Sequence, residues 1–191
     1  QKGYLEEDDA PENSVTETYA AMKVYIDNWR WRGVPFYLRT GKCMPESKAM
    51  IAIRFKKPPQ ELFKGTDIGD SHANWITMGL QPDNTLRIEL QAKKPGLEIN
   101  AHTVGLETNE QEDPAHKLDA YEAMILNAIL GDRSLFLRSD EVDLAWKAVD
   151  PIIEKWSKEK DFVHKYAAGT WGPEEVSQIQ DDPCHVWRNN I

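Results

Sequence analysis

Apolar and polar positions alternate along the first part of the chain, and this period of two predicts β-strands. Between Thr16 and Ile26 every second residue is apolar or small, which indicates a strand. An amphipathic helix is the alternative for this segment, because Ala, Met and Lys favour helices. The residues from Asn28 to Arg32 then predict a helical turn that Gly33 closes.

Further strands follow, bounded by Gly, Pro and Asn residues. A hairpin is predicted around the sequence QPDN, where Pro82 and Asp83 suit a tight turn. In its second strand Leu86, Ile88 and Leu90 should face the core, while Glu89 faces water. The remaining strand candidates are 34–40, 50–55, 74–80, 85–92 and, more weakly, 97–100 and 103–108.

The pattern changes to helices after the strands. Asp113 as N-cap and Pro114 begin a helix that runs to Gly131. Ser139 begins a second helix, which Pro151 should kink or restart, and a short helix follows from Pro173. Strands followed by helices indicate an α+β domain over residues 1–191, with a large, mostly antiparallel sheet and helices packed on one face.

Composition narrows the functional classes. The chain has 191 residues, 40% of them hydrophobic, and a formal net charge of −9, which argues against general nucleic-acid binding. No apolar stretch is long enough for a membrane span and the first residues are acidic, so a cytoplasmic location is expected. Cys43 and Cys184 lie far apart without metal-ligand spacing, so neither a disulfide nor a metal site is predicted.

Catalytic motifs of the common enzyme classes do not occur in the sequence. It contains no glycine-rich dinucleotide turn and no phosphate-binding P-loop. The histidines show no ligand spacing and are interpreted as surface or packing residues; they are His72, His102, His116, His164 and His185. The aromatic cluster of Trp29, Trp31, Phe36 and Tyr37 is interpreted as packing rather than as a stacking platform.

The sequence RTGKCMPESK, at 39–48, is a loop in which long cationic side chains follow a predicted strand. Gly41 allows the backbone to turn closely, and Lys42 and Lys48 could bind sugar hydroxyls or a phosphate. From local spacing alone, an ordinary solvated turn with surface lysines is the preferred interpretation, because Gly-Lys pairs are common in loops.

Longer stretches of the sequence resemble the glucose-6-phosphate dehydrogenase family, in its bacterial form. The resemblance rests on TETYAAMKVYIDNWRWRGVPFYLRTGK at 16–42, LDAYEAMILNAILGDRSLFLRSDEVDLAW at 118–146 and YAAGTWGP at 166–173. It implies an NADP-linked oxidation of glucose 6-phosphate at C1 to the lactone, within the oxidative pentose phosphate pathway.

The resemblance covers the C-terminal domain of that family. The family's Rossmann domain and its catalytic histidine lie upstream of the matched region, so this chain is expected to be a fragment of a longer enzyme and to be inactive alone. The resemblance also implies a homodimer, or a dimer of dimers, formed through the sheet. The alternative is a free-standing, non-catalytic module for sugar-phosphate binding or assembly.

The resemblance implies roles for individual residues. Lys42 matches the family lysine that helps to hold glucose 6-phosphate. The second basic residue of the family falls at Ser47 here, with Lys48 immediately after it, so either Lys48 replaces this contact or the contact is lost. Gln81 matches a glutamine that lies near the substrate in some members.

Some family members bind an additional, structural NADP on the sheet. Arg39 and Lys48 match the residues that bind it, but Ala52, Gly79 and Glu89 stand where three of its cations would be. A carboxylate at Glu89 would repel a phosphate. We therefore expect no structural NADP site, and we expect the catalytic NADP to be bound mainly by the domain that is absent from this chain.

Overall fold

A computed structural model of the chain describes residues 3–11, 14, 16–56, 73–98, 100–109, 120–159 and 164–190. The chain divides into two compact units. Unit 1 comprises residues 1–45 and 113–185, and unit 2 comprises residues 46–112 and 186–191. No feature of the sequence indicated this division.

Unit 1 contains an antiparallel pair of strands, β1 (Tyr19–Tyr25) and β2 (Pro35–Gly41), in which Tyr19 lies opposite Gly41. The strand prediction for this segment is confirmed against the helical alternative. The predicted turn is also present, since the Trp31 N–H donates to the Asn28 side-chain oxygen at 2.9 Å. Gly33 closes the turn with φ = 73°, a conformation that glycine adopts without strain.

The two described α-helices also belong to unit 1. They are α1 (Ala120–Leu130) and α2 (Ser139–Lys158). The predicted start of α1 at Asp113 and Pro114 lies outside the described residues. Helix α2 begins at Ser139 as predicted and continues through Pro151, which excludes a restart there, while the alternative of a kink stays a prediction. Short 3₁₀ helices span Tyr4–Glu6 and Glu174–Ile179, and Pro173 precedes the second as predicted.

Unit 2 contains a four-stranded antiparallel sheet in the order β3-β4-β5-β6. Its strands are β3 (Ala49–Arg54), β4 (Trp75–Gln81), β5 (Thr85–Lys93) and β6 (Ala101–Asn109). The predicted hairpin is therefore confirmed. The strand candidate at 97–100 is wrong, because residues 95–98 form a bend and the Lys94 N–H donates to the Asn100 carbonyl at 2.7 Å.

One face of this sheet is covered and the other is exposed. Trp75, Thr77 and Glu89 are buried on one face, where Trp75 is paired with Glu89 across β4 and β5. On the other face Leu86 and Leu90 are 36% and 41% exposed. The predicted orientation of β5 is thus reversed, because ion pairs allow Glu89 to be buried while the leucines have no cover among the described residues.

The α+β class with antiparallel sheets is confirmed. The described strands form two sheets, however, instead of a single large one. Helices α1 and α2 belong to the same unit as the β1–β2 pair. None of the helices in the described ranges combines the length and apolar character that a membrane crossing needs.

Candidate functional site: a braced lysine turn

A cavity of about 180 Å³ opens where β1 begins and β2 ends. Thr18, Tyr19, Thr40, Gly41 and Lys42 contribute to its walls. The two strand ends are joined beside it, where the Lys42 N–H donates to the Thr18 carbonyl at 2.8 Å. The Lys42 side chain is exposed at the edge of this cavity.

The segment YAAGTWG, at 166–172, forms hydrogen bonds to the turn that carries Lys42. The Tyr166 hydroxyl lies 2.7 Å from the Lys42 carbonyl and 3.0 Å from the Thr18 carbonyl. The Gly169 N–H donates to the Cys43 carbonyl at 2.8 Å. Cys43 itself has φ = 50°, so the chain passes through a left-handed residue immediately after Lys42.

The Tyr19 ring packs against Gly41, Gly172 and Tyr166 at this turn. A Cβ atom added at Gly41 would lie 2.6 Å from the Tyr19 ring, and one added at Gly172 would also collide with it. The rings of Tyr19 and Tyr166 have centroids 5.3 Å apart. Burial raises the pKa of Tyr19, and the nearby Arg39 charge partly opposes that rise. Both glycines therefore allow the backbone to approach a half-buried ring closely.

Arg39 packs against aromatic side chains of unit 1. Its guanidinium lies over the Trp171 ring, 4.9 Å from the centroid. Burial lowers the pKa of Arg39, and the Tyr19 hydroxyl beside it opposes this. A guanidinium stacked on an indole is an attractive arrangement, so Trp171 and Tyr19 hold Arg39 within unit 1.

The other predicted substrate residues belong to unit 2 and meet at one end of its sheet. Gln81 ends β4 directly across from Ala49, the first residue of β3, and Ser47 and Lys48 immediately precede Ala49. The Lys48 ammonium lies 2.6 Å from the Glu46 carboxylate, and its side chain is only 14% exposed. Lys48 is thus committed to a carboxylate, whereas Lys42 has no side-chain partner among the described residues.

Glu89 lies at the centre of a group of charges that sequence reasoning missed. Its carboxylate oxygen is 2.6 Å from Arg188 and 3.0 Å from Arg87. Arg188 also lies over the Trp75 ring, 4.9 Å from its centroid. Arg188 lies far from β5 along the chain, so no local pattern indicates that it reaches this strand. Two guanidinium groups therefore neutralise the charge that was expected to act on a phosphate.

The aromatic cluster divides into separate contacts. Trp31 and Phe36 pack edge to face at 5.4 Å, as the packing interpretation predicted. Trp29 is fully exposed, so that interpretation is wrong for this residue. The Tyr37 hydroxyl lies 2.8 Å from Nδ1 of His185. Within the described ranges, no three His, Cys, Asp or Glu residues are grouped so that they could hold a metal ion.

Fold and site together define an α+β domain that presents an exposed lysine from a braced turn. Residues 1–188 match the family described as "Glucose-6-phosphate dehydrogenase, C-terminal domain", and the chain belongs to this family. It is 42% identical over 179 residues to the glucose-6-phosphate 1-dehydrogenase of Dickeya dadantii and 39% identical over 186 residues to that of Mycolicibacterium smegmatis.

Solved structures give the same assignment. The glucose-6-phosphate 1-dehydrogenase of Mycobacterium avium superposes with a TM-score of 0.83 at 31% identity, covering 100% of this chain and 39% of that one. A glucose-6-phosphate dehydrogenase in complex with glucose 6-phosphate gives 0.80 at 30% identity, covering 97% and 38%. The Dickeya and Mycolicibacterium matches include 90% and 97% of this chain. The chain itself spans only 35% and 37% of the length of those relatives.

Proposed function

We propose that this chain is the substrate-binding and oligomerisation part of an NADP-dependent enzyme that oxidises glucose 6-phosphate to 6-phosphogluconolactone in the cytoplasm. The observation that carries the proposal is the exposed Lys42 on a braced turn, in a chain whose residues 1–188 match the family. The coenzyme-binding site and the catalytic base would belong to the part of the relatives that this chain does not cover.

Lys42 is suited to bind the phosphate group or a hydroxyl of the sugar. Its ammonium is exposed beside the cavity, and its backbone is fixed on both sides by hydrogen bonds. A charge-assisted hydrogen bond to a phosphate contributes about 1.5–3 kcal/mol. The chain carries a net charge of −9, so its overall electrostatic field repels an anionic ligand. Attraction of the phosphate therefore depends on a local cation such as Lys42.

Lys48, Ser47 and Gln81 have a secondary place in this proposal. Lys48 would have to exchange the Glu46 carboxylate for the substrate, and this exchange reduces the net gain from a contact. Ser47 offers a neutral hydroxyl, and Gln81 offers an amide at the same end of the β3–β4 pair. We therefore assign the main electrostatic contact to Lys42.

Oligomerisation through unit 2 is supported by the exposed face of its sheet. Ile51 and Ile53 of β3, Leu86 and Leu90 of β5 and Leu106 of β6 share that face by their register, and each is at least 36% exposed. An apolar face of this extent is typical of a surface that is covered in the assembled protein. We propose that a second copy covers it, which gives a homodimer or a dimer of dimers.

The test of the substrate site is a set of alanine variants in the full-length enzyme that contains this chain. Lys42→Ala should lower kcat/KM for glucose 6-phosphate roughly ten- to a hundredfold, as expected for the loss of about 1.5–3 kcal/mol. Lys48→Ala should cost less. Lys147→Ala, an exposed position of α2, is the control and should change nothing.

The three variants separate the possible errors. A larger loss from Lys48→Ala than from Lys42→Ala would assign the main contact to the β3 side of the loop. Unchanged kinetics in both variants would remove the substrate site from this loop, although the family membership would stand.

A further inference from the structure

The segment at 166–172 contributes no direct substrate contact to the site proposed above, but it forms hydrogen bonds to the Lys42 turn. Tyr166 is half-buried, and it is separated from Lys42 by 124 positions along the chain. Its hydroxyl oxygen lies within hydrogen-bond distance of two backbone carbonyls, those of Lys42 and Thr18. These carbonyls belong to the two strand ends that form the cavity.

A tyrosine hydroxyl carries one hydrogen, which it shares here between two acceptors. The Thr18 carbonyl also receives the Lys42 N–H at 2.8 Å, so it keeps a donor if Tyr166 is absent. The Lys42 carbonyl, 2.7 Å from the hydroxyl, depends on Tyr166 among the described contacts. Removal of this hydroxyl would therefore release the peptide group that follows Lys42 and leave the β1–β2 ladder intact.

The Tyr166 ring is itself packed against Tyr19, with centroids 5.3 Å apart, and Gly172 places the same segment directly against the Tyr19 ring. Three residues further on from Tyr166, the Gly169 N–H holds the Cys43 carbonyl at 2.8 Å. Two successive carbonyls of the lysine turn are thus fixed by one segment.

We propose that Tyr166 is a positioning residue for Lys42, and that the hydroxyl of Tyr166 and the N–H of Gly169 fix the turn from which Lys42 reaches the sugar phosphate. The inference rests on the proposed function of Lys42. A lysine has a long flexible stem, and binding orders its rotamers at a cost in entropy. If the backbone of the turn is already ordered, substrate binding does not have to order it. Tyr166 should therefore strengthen substrate binding.

The experiment is a double-mutant cycle in the full-length enzyme that contains this chain. Tyr166→Phe removes the hydroxyl and keeps the ring. One hydrogen bond contributes about 0.5–1.5 kcal/mol, so KM for glucose 6-phosphate should rise roughly two- to tenfold, with little change in kcat or in KM for NADP. Tyr37→Phe, which removes a hydroxyl that contacts His185 in the same unit, is the matched control and should leave KM for glucose 6-phosphate unchanged.

The cycle distinguishes a positioning role from a general structural one. If Tyr166 acts through Lys42, adding Tyr166→Phe to Lys42→Ala should have no further effect on KM. A loss that persists in the Lys42→Ala background, or an effect equal to that of Tyr37→Phe, would overturn the inference and leave the role of Lys42 in place. An unchanged KM in Lys42→Ala alone would instead refute the proposed substrate contact, and the positioning role with it.

Discussion

Replacing Gly172 by alanine tests how tightly the segment at 166–172 is packed beneath the lysine turn. Gly172 has φ = 109°, which an L-residue adopts only under strain, and its new Cβ would collide with the Tyr19 ring. Gly169 lies in the same segment and has φ = 80°, but the space around its Cβ position is empty. Both alanine substitutions therefore carry the free-energy cost of an unfavourable backbone conformation. Only the substitution at Gly172 adds a steric collision.

The expected magnitudes follow from these two terms. An unfavourable backbone conformation costs about 1–3 kcal/mol, so Gly169→Ala should lower the free energy of unfolding by that amount. Gly172→Ala adds a methyl group to a packed site, which costs a further 1–3 kcal/mol or so. The Tyr19 ring cannot easily move away, because Gly41 lies against it on one side and the Tyr166 ring on another.

Urea denaturation followed by circular dichroism measures the free energy of unfolding of the two variants and of the unchanged chain. A third variant, Gly172→Ala combined with Tyr19→Leu, should recover most of the additional loss when compared with Tyr19→Leu alone. Equal destabilisation by Gly169→Ala and Gly172→Ala would refute the argument, because it would mean that the Tyr19 ring yields without cost.

Three further expectations follow from unit 2. Glu89→Ala should destabilise the chain by about 3–5 kcal/mol, because it leaves two guanidinium groups without their buried carboxylate. Glu107→Ala, at a more exposed position, should cost less than about 1 kcal/mol. Similar losses for the two variants in urea denaturation would contradict this expectation. Added NADP should not raise the melting temperature, since Ala52, Gly79 and the neutralised Glu89 provide no cation for a structural site, and a clear rise would indicate that such a site exists. The chain should self-associate, and Ile53→Lys should weaken this association; light scattering over a dilution series would measure both, and a stable monomer would argue against the exposed sheet face as an interface.

The strands could be predicted where a local signal determines them. Alternation specifies β1, and the QPDN turn between two alternating runs specifies the β4–β5 hairpin. The buried face of β5 could not be predicted, because it depends on Arg188, which lies 99 positions further along the chain. Local hydrophobicity favours Leu86 and Leu90 as core residues, but the ion pairs of Glu89 decide which face is buried.

The candidate site shows the same division. The loop around Lys42 can be recognised in the sequence as a glycine and a lysine after a strand. Only the family resemblance, however, distinguishes it as a substrate-binding loop from an ordinary solvated turn. Tyr166 lies on no periodic pattern that points to Lys42, so its hydrogen bond could not be predicted. The ion pair between Lys48 and Glu46 could have been predicted from the sequence, because the two residues are close neighbours of opposite charge.

The self-association test needs a second variant, because unit 2 does not carry the only apolar surface in the described part of the chain. In α1, Tyr121, Ile125 and Ile129 are 75%, 61% and 77% exposed, although their spacing is that of a core-facing stripe. In the proposed enzyme this stripe would be covered by polypeptide that the relatives possess and this chain does not span. An isolated chain could therefore associate through α1 as well as through the sheet. If the sheet is the natural interface, Ile53→Lys should reduce association in both the isolated chain and the full-length enzyme, whereas Ile125→Lys should reduce it only in the isolated chain.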